Sequence, residues 1–163
     1  MISSGLGTKG VFELYSMAKA NVDLAGPTYF APLITGVAGL THSSMLQNPT
    51  VYNILLILTD GDIHDMDQTK MELIKASKLP LSVIIVGVGN ENFEKMHDLD
   101  CDGGFLSCNG MKADRDIVQF VKFNDAKSPE DLASKVLREL PEQVIQFYKS
   151  VGRTPKDVIR PFQ

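Results

Sequence analysis

Asp60 is the residue whose setting most favours chemistry. It stands where the apolar run Ile54–Leu58, preceded by Val51, gives way abruptly to Thr59-Asp60-Gly61-Asp62. A run this short and this rich in branched side chains predicts a strand buried on both faces of a parallel sheet. The polar break then marks the strand's carboxyl end, where open α/β sheets place their ligand sites. A carboxylate at that rim can hold a hard cation directly or through water. Thr28, on the Gly26-Pro27-Thr28 loop, can add a hydroxyl oxygen. Mg²⁺ suits such a site, with one or two carboxylates and several retained waters. The plainer alternative is that Asp60 only serves the strand-to-helix turn through hydrogen bonds.

The other chemistry-bearing residues are less organised. Asp62, Asp65 and Asp67 thicken the negative charge around Asp60, but no Glu follows at the spacing of a helix–loop–helix calcium site. Gly87-Val88-Gly89-Asn90 follows a second apolar run and has two glycines of a dinucleotide fingerprint without the third. Phe93 falls where backbone would have to approach phosphate, so these glycines read as an exit turn. His42, His64 and His97 are scattered, and the sequence has neither a Gly-x-Ser-x-Gly elbow nor a phosphate-cradling Gly-x-x-x-x-Gly-Lys. Cys101 and Cys108 lie seven apart with no further Cys to complete a zinc set. A loop-closing bridge fits that spacing; two reduced thiols are the simpler reading.

The surrounding elements follow from periodicity and punctuation. Val11, Leu14, Tyr15, Ala18 and Val22 predict an amphipathic helix over residues 8–22. Pro32, Leu33, Val37 and Leu40 predict a second, ended by Asn48-Pro49. After the Asp60 rim, Asp65 with Gln68 has the form of a capping box, opening a helix that stops at Leu79-Pro80. Residues 81–88 predict a buried strand and 92–97 a short helix. Residues 98–116 form a loop with a small hairpin near Phe105-Leu106. Residues 117–123 predict a third strand, more exposed at an edge because of Gln119 and Lys122. Ser128-Pro129-Glu130-Asp131 opens a last helix running to about Lys149, kinked or divided by Pro141. Residues 151–163 read as a peripheral tail.

This alternation implies a single α/β domain over residues 1–163, its mostly parallel sheet having helices on both faces in three layers. With 163 residues, 44% apolar and 22% charged, the composition is that of a globular protein with a sizeable core. The net charge of −4 gives no basic footprint for nucleic acid and argues against unaided binding to an anionic bilayer. No apolar run approaches the ~20 residues of a membrane span, and the first residues lack the form of a secretory signal.

Several stretches, in order, closely resemble the C-terminal von Willebrand factor A-like domain of copines. They are Gly26–Phe30, Leu55–Gly61, Ala76–Gly89, Asp116–Val121 and Leu137–Val144. The likeness runs from about Gly10 to about Ser150. It implies a Rossmann-like A domain that recruits protein partners, on a cytoplasmic protein peripherally associated with membranes in trafficking and signalling. It further implies calcium-dependent phospholipid binding through C2 domains that are not in this chain. In the family pattern a metal-ion-dependent adhesion site takes a Thr, matched by Thr28, and an Asp, matched by Asp60, with Mg²⁺ expected for the complete site. The sequence departs from that pattern in having no Asp-x-Ser-x-Ser motif and no equivalent of the strand that carries it. The expectation is therefore an A-like fold lacking its first strands, by deletion near Leu6–Gly10 or by truncation, with weak or absent metal binding.

The leading reading is a non-enzymatic protein-interaction domain with Thr28 and Asp60 at a remnant metal rim. A rival is weak phosphotransfer or hydrolase activity using Asp60, Asp62 and Asp65. A third is a nucleotide-binding module at Gly87–Asn90. No nucleophile–base pair or phosphate loop in the sequence supports either rival.

Overall fold

A computed structural model describes residues 7–23, 25–61, 63–101, 104–154 and 157. Helix α1 spans Gly7–Asn21 and α2 spans Ala31–Gln47; strand β1, Asn53–Thr59, leads to α3, Met66–Ala76. Strand β2, Leu81–Gly87, is followed by α4, Glu94–Asp100, and by the two-residue strands β3 (Ser107–Cys108) and β4 (Met111–Lys112). Strand β5, Val118–Lys122, precedes α5, Pro129–Val136, and α6, Leu140–Ser150. The sheet order is β1-β2-β5, all parallel, an α/β arrangement consistent with a partial A-like fold.

Register assigns the two faces. Leu55, Ile57 and Thr59 pair with Val83, Ile85 and Gly87, and Val118 and Phe120 continue that face on β5. Phe30, Ile34, Leu73, Ile74, Phe93, Met96 and Leu99 from the α2, α3 and α4 regions pack there and form the core. The opposite face carries Ile54, Leu56 and Leu58 beside Ser82, Ile84 and Val86. Helix α6 covers only its middle: Gln143 Oε1 accepts from Ser82 Oγ at 2.6 Å, and Gln143 Nε2 donates to Val118 O.

This corrects the expected burial of β1. The strand is at the sheet's edge, with β2 central, and Ile54, Leu56 and Leu58 are 50%, 55% and 67% exposed. An unbroken apolar run signals two-sided burial only where helices cover both faces, and here one face of β1 is bare. The stripe of α1 is likewise uncovered: Gly10 is its buried residue, whereas Val11, Leu14, Tyr15 and Val22 are exposed. Strand β5 shows the converse. It is an edge by position, yet Gln119 is buried and Val118–Val121 are covered on both faces.

Two local features depart from expectation for identifiable reasons. Asp65 precedes α3 but does not cap it; its carboxylate accepts from the backbone N–H groups of Phe30 (3.0 Å) and Ala31 (2.9 Å), capping α2 instead. Thr69 Oγ1 donates a further bond to Asp65 Oδ1 at 3.1 Å. The small hairpin turns at Asn109-Gly110, both at positive φ (49° and 76°), which is the dihedral pair of a tight type I′ turn. Pro141 divides the expected helix in two, one of the two outcomes foreseen: α5 ends at Val136, and Pro141 lies in the first turn of α6, where a missing N–H costs nothing. The cap at Ser128 forms as expected, its side chain accepting from Asp131 N. The expected peripheral tail falls largely on residues outside those described; within it, Arg153 Nη1 donates to Pro49 O.

Arg115 ties the amino end of the sheet together. Only 5% exposed, it donates from Nη1 to Tyr52 Oη and Gln143 O, and from Nη2 to the carbonyls of Leu79 and Leu81. Its guanidinium also faces the rings of Tyr52 and Phe147 at 5.7 and 5.4 Å. Burial pulls its pKa below the ordinary arginine value.

At the other end of the sheet, Phe93 is seated against two glycines. A Cβ at Gly87 would lie 2.6 Å from the Phe93 ring, and one at Gly61, whose φ is +103°, 2.8 Å from it. Phe93 is 2% exposed and has no room to withdraw. Gly87→Ala is expected to destabilise the fold by about 1–3 kcal/mol through overpacking, read by urea denaturation. Asp65→Ala is expected to cost about 2–4 kcal/mol by the same measurement, because it leaves two buried amides without an acceptor.

Candidate functional site

The carboxyl ends of β1 and β2 form the rim at which the sequence places its candidate residues. Val88 N donates to Thr59 O at 2.8 Å, extending the ladder one step past the strands. Gly61 N donates to Thr59 Oγ1 at 3.1 Å, turning the chain sharply away from the sheet. Asp60 lies between, exposed at the lip of a cleft of about 660 Å³. The cleft is lined by Asp60 and Gly61 on one side and by the Val88–Asn92 turn, Glu94 and Lys95 on the other. Gly61 of that lining, and Gly87 just before Val88, pack on the buried Phe93 ring.

Thr28 does not line this cleft, but its loop is stitched to the loop after Asp60. His64 N donates to Thr28 O at 3.0 Å, and Thr28 N donates to His64 Nδ1 at 3.2 Å. The Asp65 carboxylate adds the two amide contacts to Phe30 and Ala31. Four hydrogen bonds thus hold residues 28–31 against residues 64–65. The sequence reading brought Thr28 and Asp60 to one rim. The structure places their loops side by side at the carboxyl end of β1, with the Asp60 side chain turned to solvent.

The charge of the cleft is mostly negative. Asp60, Glu91 and Glu94 contribute carboxylates; Lys95 contributes the cation, its Nζ donating to Ile63 O at 2.8 Å. Asp65, counted with the acidic cluster in the sequence, is buried and committed on both oxygens to backbone amides. It is a brace for the loop, accepting from the Phe30 and Ala31 amides and from the Thr69 hydroxyl. Asp62 lies outside the described residues.

As a donor set, Thr28 and Asp60 supply a hydroxyl and a carboxylate, the hard oxygens that Mg²⁺ prefers. Among the described residues, no three His, Cys, Asp or Glu side chains come close enough together to hold a metal ion. Asn90, from the Gly87–Asn90 segment, and Asn92, which the sequence reading did not single out, also line the cleft. Asn92 Oδ1 accepts from Glu94 N at 2.9 Å, and Asn90 Oδ1 accepts from Asn124 Nδ2 at the same distance. Both therefore order the turn. Within the Gly87–Asn90 segment, Gly87 packs on the Phe93 ring, and Gly89, at φ +105°, has open space around it.

Cys101 and Cys108 are free thiols packed at the edge of the core. Burial, followed by the nearby Asp116 carboxylate, pushes the Cys101 thiol above its ordinary value. That is the opposite of an activated nucleophile.

A family model described as Copine matches residues 3–156. Copine-A of Dictyostelium discoideum is 47% identical over 150 residues, covering 91% of this chain and 25% of that protein. Copine-C of the same organism is 44% identical over 156 residues, covering 94% of this chain and 29% of its own length. Nicotinic receptor-associated protein 1 of Caenorhabditis elegans is 43% identical over 173 residues, covering 99% of this chain and 27% of that protein. The chain thus spans about a quarter of the length of these relatives. With a family match across nearly all of its residues and the parallel sheet and rim described above, the chain belongs to the copine family.

Proposed function

We propose that this chain is a protein-interaction domain of a copine-type protein, with no catalytic role of its own. The observation that carries this reading is the open, acid-rich cleft at the sheet's carboxyl rim, with an exposed Asp60 on a braced loop. A rigid, solvent-facing carboxylate suits contact with a partner's cationic group, or with a partner through a shared ion. The name of the C. elegans relative, a receptor-associated protein, favours the same class of function. Thr28 and Asp60 form a remnant of an adhesion-type metal rim, and Mg²⁺ would meet only part of a shell there. Calcium-dependent phospholipid binding and the cytoplasmic, membrane-peripheral setting belong to the whole copine protein. Among the described residues no helix is long and apolar enough to cross a membrane.

The rim is tested by comparing affinity capture on the intact chain with capture on Asp60→Arg, quantified by mass spectrometry. Partners depleted about tenfold or more by the single substitution are expected; identical capture profiles would contradict the assignment. Titration calorimetry with Mg²⁺ is expected to give little or no heat. Tight, stoichiometric binding that survives Asp60→Ala would overturn the metal part of the reading.

A further inference from the structure

Next to the Asp60 cleft, the carboxyl rim carries an apolar groove. Val88 lines the cleft itself. Gly87 pairs with Lys122, so Val88 and Phe123, the residues that follow them, stand side by side past the ends of β2 and β5. Both are half exposed. Phe123 is also one wall of a groove of about 260 Å³, lined otherwise by Ala126, Lys127, Ser128, Pro129 and Leu132. Asn124 Nδ2 donates to Gly89 O and to Asn90 Oδ1, both at 2.9 Å, and so ties the groove to the turn that walls the cleft. The groove is built by the turn after β5 and the start of α5, at the opposite edge of the sheet from β1.

We propose that cleft and groove form one docking surface for a peptide segment of a partner protein, with a basic side chain in the cleft and an apolar one in the groove. The inference rests on the reading of the rim as a protein-interaction site and names the kind of segment it takes. Charge decides which end is which. The cleft's lining sets the carboxylates of Asp60, Glu91 and Glu94 against the Lys95 ammonium, so it favours a cation. The charged residue of the groove is Lys127, which disfavours one.

The sheet sets the spacing. Neighbouring strands lie about 4.8 Å apart, so the ends of β1 and β5, with β2 between them, are about 10 Å from each other. An extended peptide advances about 3.3 Å per residue, which puts its basic and apolar side chains about three positions apart. Each half needs the other. An exposed ion pair alone gives little affinity, and the apolar contact with Val88 and Phe123 supplies the part of the interface that loses its water.

Panning a phage-displayed library of random peptides against the full 163-residue chain tests this. Enriched sequences are expected to carry an arginine or lysine at that spacing from a large apolar residue. An enriched peptide is then labelled and its binding measured by fluorescence anisotropy. Phe123→Glu and Val88→Glu are each expected to weaken binding about tenfold or more, as Asp60→Arg does. Because Val88 and Phe123 are half exposed, far-UV circular dichroism should be unchanged. Asp114→Arg, at the amino end of the sheet, should leave binding unaltered. Binding lost with Asp60→Arg but kept by both apolar-site variants overturns this inference and leaves the reading of the rim intact. Binding indifferent to all three rim variants contradicts both. A library that yields no enriched peptide, or peptides without a basic residue, overturns the inference as well. So does self-association of the wild type that Phe123→Glu abolishes, since a second copy would then occupy the groove.

Discussion

The Asp65 carboxylate is the constraint on which the candidate site rests. A buried acid accepting two backbone amides from another segment is an expensive arrangement unless both bonds are kept. Those amides belong to Phe30 and Ala31, where α2 begins, so one side chain fixes the start of that helix and the path of the loop before it. The same acid takes the Thr69 hydroxyl, which locks its own orientation. Sequence distance is irrelevant to this bond, because residues 30 and 65 are adjacent only after the sheet and its helices are in place. Thr28 reaches the Asp60 loop because Asp65 has already brought the two segments together.

Beneath the rim, the packing of Phe93 against Gly61 and Gly87 does the complementary work. It seals the end of the core just below Asp60, so the carboxylate stands at a boundary between a dry interior and open water. The Phe93 ring is supported in turn by Phe120, with centroids 5.6 Å apart, and the Lys122 Nζ lies 5.6 Å from its centroid. A rim braced by hydrogen bonds and backed by a buried ring can present charge in a fixed direction. That is what a binding surface requires. Among the described residues the same cleft is open and acidic, and the Lys95 ammonium in its lining donates to the Ile63 carbonyl.

Much of this architecture was legible in the residues. The buried strand 81–88, the Ser128 cap and the break at Pro141 all follow from local chemistry, and the structure shows each of them. The tight turn at Asn109-Gly110 carried a plain signal that the broader loop assignment passed over. What was not legible depends on neighbours. The run at 54–58 looks the same whether one or two helix layers cover it, so its bare face becomes visible only with α5 and α6 in place. Gln119 and Lys122 suggested an exposed edge, but a buried amide is tolerated where packing helices enclose it. Asp65 has the sequence form of a local cap and serves a distant helix. Arg115 gave no signal because its acceptors come from residues 52, 79, 81 and 143.

The central claim is that Asp65 welds the residue 28–31 segment to the rim. Native-state hydrogen exchange of the Phe30 and Ala31 amides measures that weld directly. Exchange that proceeds only with global unfolding, as slowly as in the middle of β2, is the expected result. Exchange at the rate of unprotected loop amides would show that the two segments are not held together, and the account of the site would fail with it.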